Sequence, residues 1–491
     1  MVSTCIYFQV HQPYRSRRYQ IFDIGTKKGY FDEEKNKEVI NKIAKKCYEP
    51  TNNLLLELIN RLDGKFKVSF SITGVVLEQL EANAPQIIDS FKELVNTGCV
   101  EILNETYHHS LSSVYSTKEF KKQVKLHKKK ILSLFNFRPR IFRNTELIYD
   151  NRLAETVSRM GHNAILTEGA DHILGWRSPN FVYKSKAADI KLLLKNYRLS
   201  DDIAFRFGER KWNEYPLTAG KFSQWVSRIN GSGEVVNLFM DYETFGEHQW
   251  ADKGIFEFLK HMPDEILKHP DNDFVTPSEA ISRYKAVAEL DVPNLISWAD
   301  MERDLSAWIG NKMQQESIKR LYLLEEKIAN SGDAQLIKDW RKLQTSDHFY
   351  YMCTKWFADG DVHKYFNPFD SPYDAFISFM NILNDLKMRV EEVYRMKSAN
   401  QKLTNVPDDK AFWFKDGTKI KNMREMATFM KRVSPDVFSY HVNSEKNDIL
   451  SWVKDVIGDH ELAEELSSVR KKENMASIFS NRIHELKSME R

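Results

Sequence analysis

The stretch KVSFSITGVVLEQLEANAPQIIDSFKELVNTGCVEIL, residues 67 to 103, decides the fold. It opens on KVSFSI (67 to 72), a short run rich in β-branched and aromatic residues, and closes on a second such run, VEIL (100 to 103). Between them lies an amphipathic helical segment with Gly98 placed as its C-terminal stop. Strand, helix and strand at this spacing imply a crossover, and a crossover joins parallel strands. The alternation continues on both sides in CIYFQV (5 to 10), RIF (140 to 142), AILT (164 to 167) and VVNLFM (235 to 240). The first 280 or so residues therefore read as α/β, with parallel strands in an open sheet or a barrel. No G-x-G-x-x-G follows the first strand and no G-x-x-x-x-G-K-[ST] occurs, which argues against dinucleotide and P-loop sites.

After about residue 300 the strand-like runs nearly vanish. MERDLSAWIGNKMQQESIKRLYLLEEKIAN (301 to 330) and PYDAFISFMNILNDLKMRVEEVYRM (372 to 396) carry long helical patterns and predict a helical bundle. The segment SANQKLTNVPDD (398 to 409) is polar and loses its periodicity, as a linker would. The last 80 residues read as another small, mostly helical unit. We accordingly divide the chain into 1–295, 296–400 and 401–491, the prior for 491 residues being two or three domains.

The 72 basic residues nearly balance 69 acidic ones, and a net charge of +3 predicts neither nucleic acid nor an anionic membrane as partner. Four scattered cysteines form no CxxC pair, which argues against a zinc site or disulfide framework and suits a reducing compartment. The apolar run at the N-terminus stops at His11, too short for a signal peptide or a membrane span, so the expected location is cytoplasmic. Aromatics make up 12% of the chain, and flat side chains can stack on sugars as well as fill cores.

In parallel α/β folds working residues collect where strands end. Those positions hold His11, then Glu105 with His108 and His109, then Glu146, Glu168, and the group Asp241, Glu243, Glu247 and His248. Each has a plain alternative. Glu146 follows Asn144 and Thr145, good helix caps, and could be a first-turn acid favouring the helix dipole. Asp241 could cap or turn the chain, and His11 could be a core histidine bonded to backbone. His108 and His109 are adjacent, so on an extended segment they point to opposite faces and do not easily share an ion. Carboxylates and histidines without a cofactor motif suit glycoside cleavage, which needs one nucleophilic or basic carboxylate and one protonated partner.

Five segments stand in order: VHQPYR (10 to 15), VEILNETYHHSLSS (100 to 113), FRNTELIYDN (142 to 151), MDYETFGEH (240 to 248) and SWADMERDLSAWIGN (297 to 311). They resemble the five motif regions of glycoside hydrolase family 57, in the form of its α-amylase subgroup, over roughly residues 1 to 390. The resemblance implies an incomplete (β/α)7 barrel followed by a helical bundle and a small C-terminal helical domain. It makes Glu146 the expected nucleophile and Asp241 the expected acid/base, with retention of configuration and neither metal nor cofactor. His11, Glu105, His109, Arg143, Glu243, His248 and Trp298 are then the expected substrate-binding residues, and an α-glucan or malto-oligosaccharide the expected substrate. The tail, around YHVNSEKNDILSWVKDVIGD (440 to 459), resembles a small helical module appended to some of these enzymes. Three other readings stay open. A 4-α-glucanotransferase would use the same carboxylates, and a glucan-binding protein would not use them. A metal-dependent sugar deacetylase lacks here its aspartate-histidine ligand pattern.

Overall fold

The computed structural model describes residues 1–355 and 367–489. They form two compact units, one of Met1–Glu325 with Ile337–Asp385, the other of Glu326–Leu336 with Leu386–Arg491.

The first unit is built on β1 (Val2–Val10), β2 (Val68–Ile72), β3 (Val100–Ile102), β4 (Ile141–Arg143), β5 (Ala164–Glu168), β6 (Val182–Ser185), β7 (Lys191–Lys195), β8 (Val235–Asp241), β9 (Asn272–Phe274) and β10 (Glu289–Leu290). All nine residues of β1 are buried, as expected of a strand covered on both faces. Alternation along it sends Cys5 and Tyr7 to one apolar cluster, shared with Leu103, Leu166 and Phe239, and Ile6, Phe8 and Val10 to another, shared with the surrounding helices. The strand pairs in parallel with β2 on one side and β8 on the other. Parallel ladders also join β2 to β3, β4 to β5, β5 to β7 and, through one residue pair, β7 to β8. Between β3 and β4 the join is a single bridge, Asn104 to Phe142, with Asn104 bonded to Ile141 and Arg143 through backbone. Seven parallel strands thus trace a ring that is thin at two seams, an incomplete (β/α)7 barrel.

Six of those seven strands coincide with runs recognised in the sequence; β7, KLLLK, does not. A three-leucine run between lysines is too short for its period to tell strand from helix, and it is ordered by β6, which adds antiparallel to it as a hairpin. The helical stretch between β2 and β3 also differs from expectation. It is two helices, Gly74–Asn83 and Pro85–Asn96, because Pro85 removes a backbone donor and drives Ala84 to φ −150°, ψ 57°. Gly98 does end the second of them, at φ 75°.

No helix among the described residues is long and apolar enough to cross a membrane. The 32-residue helix Pro372–Leu403 carries the chain through the first half of the stretch expected as a linker. The second unit has its own core of Met423, Met426, Met430, Leu462, Met475 and Phe479. Here the recognisable residues of 440 to 459 have structural work. His441 meets Asp448 at 3.0 Å and accepts from the Lys415 backbone N–H at 3.0 Å. Asn447 caps Asp448–Trp452 and donates to the Leu466 carbonyl. Buried Asp459 accepts two bonds from Arg482 at 2.8 and 2.9 Å.

Candidate active site

Strand register brings the first two elements together. Gln9 pairs with Asp241 across β1 and β8, so His11 leaves β1 beside the end of β8. Below them Tyr7 donates to Gln9 Oε1 at 2.7 Å and Ser71 donates to the same oxygen at 2.9 Å, a polar layer inside the barrel.

Glu146 is not a helix-start residue. The following helix, Asn151–Arg159, begins five residues on and is capped by Asp150, which accepts from the Leu153 N–H at 2.8 Å. Glu146 and Leu147 instead take left-handed conformations, φ 56° and 52°. Such backbone costs about 1 to 2 kcal/mol per residue and persists only where packing over-determines it. Leu147 is fully buried and Asn144 donates to the Ile148 carbonyl, which fixes the turn. His109, Asp300 and Arg303 are also left-handed, at φ 49°, 53° and 53°. Strain of this kind collects at functional sites.

The turn aims the Glu146 carboxylate at three donors. Trp298 donates its indole N–H to Oε2 at 2.7 Å and its backbone N–H to the Glu146 carbonyl at 3.1 Å. Ser346 donates to Oε1 at 3.1 Å, and His109 Nε2 lies 3.2 Å from that oxygen. Burial by itself pushes the Glu146 pKa up. The His109 bond and charge, with Arg143 and Trp298, overcome burial and hold it down at about 2.

Asp241, at the end of β8, goes the other way. Burial first and the Glu146 charge second raise it to about 6, against the pull of Arg143 and His109. Two carboxyls with values pushed apart by their surroundings are what separates an acid from a nucleophile.

Around the pair, His11 and His109 stack with ring centroids 4.0 Å apart. His11 Nδ1 meets Thr73 and Nε2 meets Asp347, both at 3.0 Å. Arg143 is fully buried, and its three guanidinium nitrogens have no hydrogen-bond partner in the protein. It lies over the Trp298 ring at 4.9 Å, and its charge acts on both Glu146 and Asp241. Behind Trp298, Lys195 bonds Asp201 at 2.9 Å and lies 5.3 Å from the indole ring. Arg303 meets Glu168 and Asp201, each at 3.5 Å, and donates to the Trp298 carbonyl.

Two of the expected binding residues sit deeper, and a third is half-buried. Glu105 is fully buried and accepts from Gln9 at 3.4 Å, with His109 at 3.4 Å on its other oxygen. Glu243 is 4% exposed, and its Oε1 accepts from Tyr48 at 2.5 Å and Gln12 at 3.3 Å. Burial, then the Asp241 charge, lifts it to about 8, so it is protonated at neutral pH. His248 follows it in the same loop, and burial lowers its pKa to about 4. His108 is buried near Arg341 and Lys342. Among the described residues no three His, Cys, Asp or Glu side chains converge as metal ligands.

Sequence reasoning passed over Gln9, Thr73, Lys195, Arg303, Ser346 and Asp347. Ser346 and Asp347 begin the short helix Ser346–Tyr350 and look like ordinary helix-start residues. Nothing local marks them, because their partners lie 200 and 336 positions away.

A model of glycosyl hydrolase family 57 matches residues 5–293. A Methanocaldococcus jannaschii protein named "Putative alpha-amylase" is 47% identical over 399 residues, which are 79% of this chain and 84% of that one. Among solved structures, a GH57 branching enzyme from Thermococcus kodakaraensis aligns at TM-score 0.54 and 15% identity, over 80% of this chain and 94% of that one. The 4-alpha-glucanotransferase from Thermococcus litoralis aligns at TM-score 0.51 and 16% identity, over 82% of this chain and 61% of that one. At such identities the structural matches speak for the fold alone.

Proposed function

Given that the chain belongs to glycosyl hydrolase family 57, we propose that it cleaves α-1,4 bonds of an α-glucan by a retaining double displacement, as an α-amylase. The observation that carries this reading is the split between the two carboxyls. Glu146 is held as an anion by donors on both oxygens, while Asp241 is raised to about 6. In the first half-reaction Glu146 attacks the anomeric carbon and Asp241 gives its proton to the leaving oxygen. Once Glu146 is an ester its charge is gone, so Asp241 loses the neighbour that raised it. It is then held ionised, ready to take the proton of the incoming water. The half-buried His11 and Trp298 beside the pair suit the hydroxyls and apolar face of a glucose ring. The name of the relative at 47% identity supports the amylase reading over transfer.

Incubation with maltoheptaose tests it. Only shorter oligosaccharides should appear. Longer products would replace hydrolysis by transglycosylation, and an unchanged substrate would overturn the catalytic reading. The pH profile is a second check. Activity needs Glu146 ionised and Asp241 protonated, so kcat/KM should hold down to low pH and fall as pH rises through about 6. A profile still rising above pH 8 would contradict the assignment of Asp241.

A further inference from the structure

Glu105 is too deeply buried to touch a substrate, yet it completes a chain of charges that ends on Glu146. His109 is the link. Its Nδ1 lies 3.4 Å from Glu105 and its Nε2 3.2 Å from Glu146. A neutral imidazole has one donor and one acceptor, and a lone pair facing a carboxylate oxygen is repulsive. Glu146 accepts from an indole N–H, which cannot accept in return, and from Ser346, so it is the anion. Both ring nitrogens of His109 therefore carry protons.

His11, stacked on it, has Nδ1 and Nε2 each at 3.0 Å from the Thr73 hydroxyl and Asp347, and burial and the His109 charge favour its neutral form. The remaining charges near His109 are Arg143, which opposes its proton, and Asp347 and Asp241, which favour it.

We propose, resting on the reading above, that Glu105 acts through His109 as a positioning residue that keeps Glu146 a good leaving group when the glycosyl-enzyme breaks down. In the first half-reaction an oxygen of Glu146 bonds to the anomeric carbon, the glycosidic C–O bond breaks, and the leaving oxygen takes the Asp241 proton. Glu146 is then an ester, and of the two glutamates beside His109 only Glu105 still bears a charge. In the second half, the water oxygen attacks the anomeric carbon and its proton passes to Asp241. The bond to Glu146 breaks and its electron pair returns to the carboxylate. A protonated His109 meets that returning charge with an N–H. Burial favours neutral imidazole, so a buried His109 without Glu105 gives up its proton in the intermediate as pH rises through neutrality.

The experiment follows fluoride release from α-maltosyl fluoride in the pre-steady state, between pH 6 and 8. Glu105→Gln should give a burst of fluoride, one per enzyme, at a rate within a few-fold of wild type. The steady phase should then slow by about 10- to 100-fold across that range, the loss of one charge-assisted hydrogen bond. Wild type should show no such fall. In Glu105→Gln/His109→Gln the steady phase should be slow at every pH and flat. A Glu105→Gln steady phase that parallels wild type, or a pH dependence that survives in the double variant, would overturn the proposal. If Glu105→Gln does not fold, His109→Gln alone decides: a slow, flat steady phase supports the link and a wild-type rate overturns it. A wild-type enzyme that releases no fluoride and cuts no glucan would instead overturn the function on which the proposal rests.

Discussion

Glu146→Ala is expected to lower turnover of maltoheptaose by about 10⁴- to 10⁶-fold, the scale seen when a nucleophile is removed from a catalytic unit. The fold should survive. The residue makes its contacts through the carboxylate to His109, Trp298 and Ser346, and the left-handed backbone is held by Leu147 and Asn144 rather than by that side chain. The truncated site leaves room for a small anion. With an activated α-glucoside and azide, the azide should attack the anomeric carbon in place of the carboxylate. One inversion then gives a β-glycosyl azide, identified by the anomeric proton coupling. A variant with near-normal activity on maltoheptaose would show that Glu146 is a structural residue and would remove the double displacement with it.

Asp241→Ala should fail differently, because it removes a proton and not a nucleophile. General acid catalysis contributes about 10²- to 10⁴-fold, and that loss should appear on maltoheptaose, whose leaving oxygen needs protonation. Substrates with good leaving groups should form the glycosyl-enzyme almost as before. Azide needs no base, so it should rescue the second step and yield the α-azide after two inversions. The fall in activity near pH 6 should also disappear, since the group responsible for it is gone. Equal losses on good and poor leaving groups would move the acid/base role away from Asp241.

The two carboxyls illustrate what could be read beforehand. Strand ends in an α/β chain are marked by short β-branched runs; Asp241 ends one such strand and Glu146 lies three residues past another. The parallel α/β order was legible for the same reason, since six strands carry short β-branched runs, while the choice of a barrel over an open sheet came from the family resemblance. β7 was not legible, because KLLLK is ordered by its hairpin partner rather than by its own period. The position of Glu146 was misleading in one respect. Its neighbours Asn144 and Thr145 suggest a helix start, yet the helix begins at Asn151, and only the three-dimensional packing of Leu147 holds the left-handed turn.

Sequence by itself determined the residue types at the rim and the parallel order that gathers them. Only the tertiary structure supplied the surroundings that lower one of those acids and raise the others. Glu105, Glu146, Asp241 and Glu243 are chemically near-identical side chains, all at strand ends. Glu146 is lowered to about 2 because His109, Arg143 and Trp298 overcome its burial, whereas burial and the charge of Asp241 raise Glu243 to about 8 against the bonds it accepts from Tyr48 and Gln12. Those partners come from segments up to 231 positions apart. A pKa is set through space by burial and by nearby charge, and the chain's local preferences carry no record of either until the chain has folded.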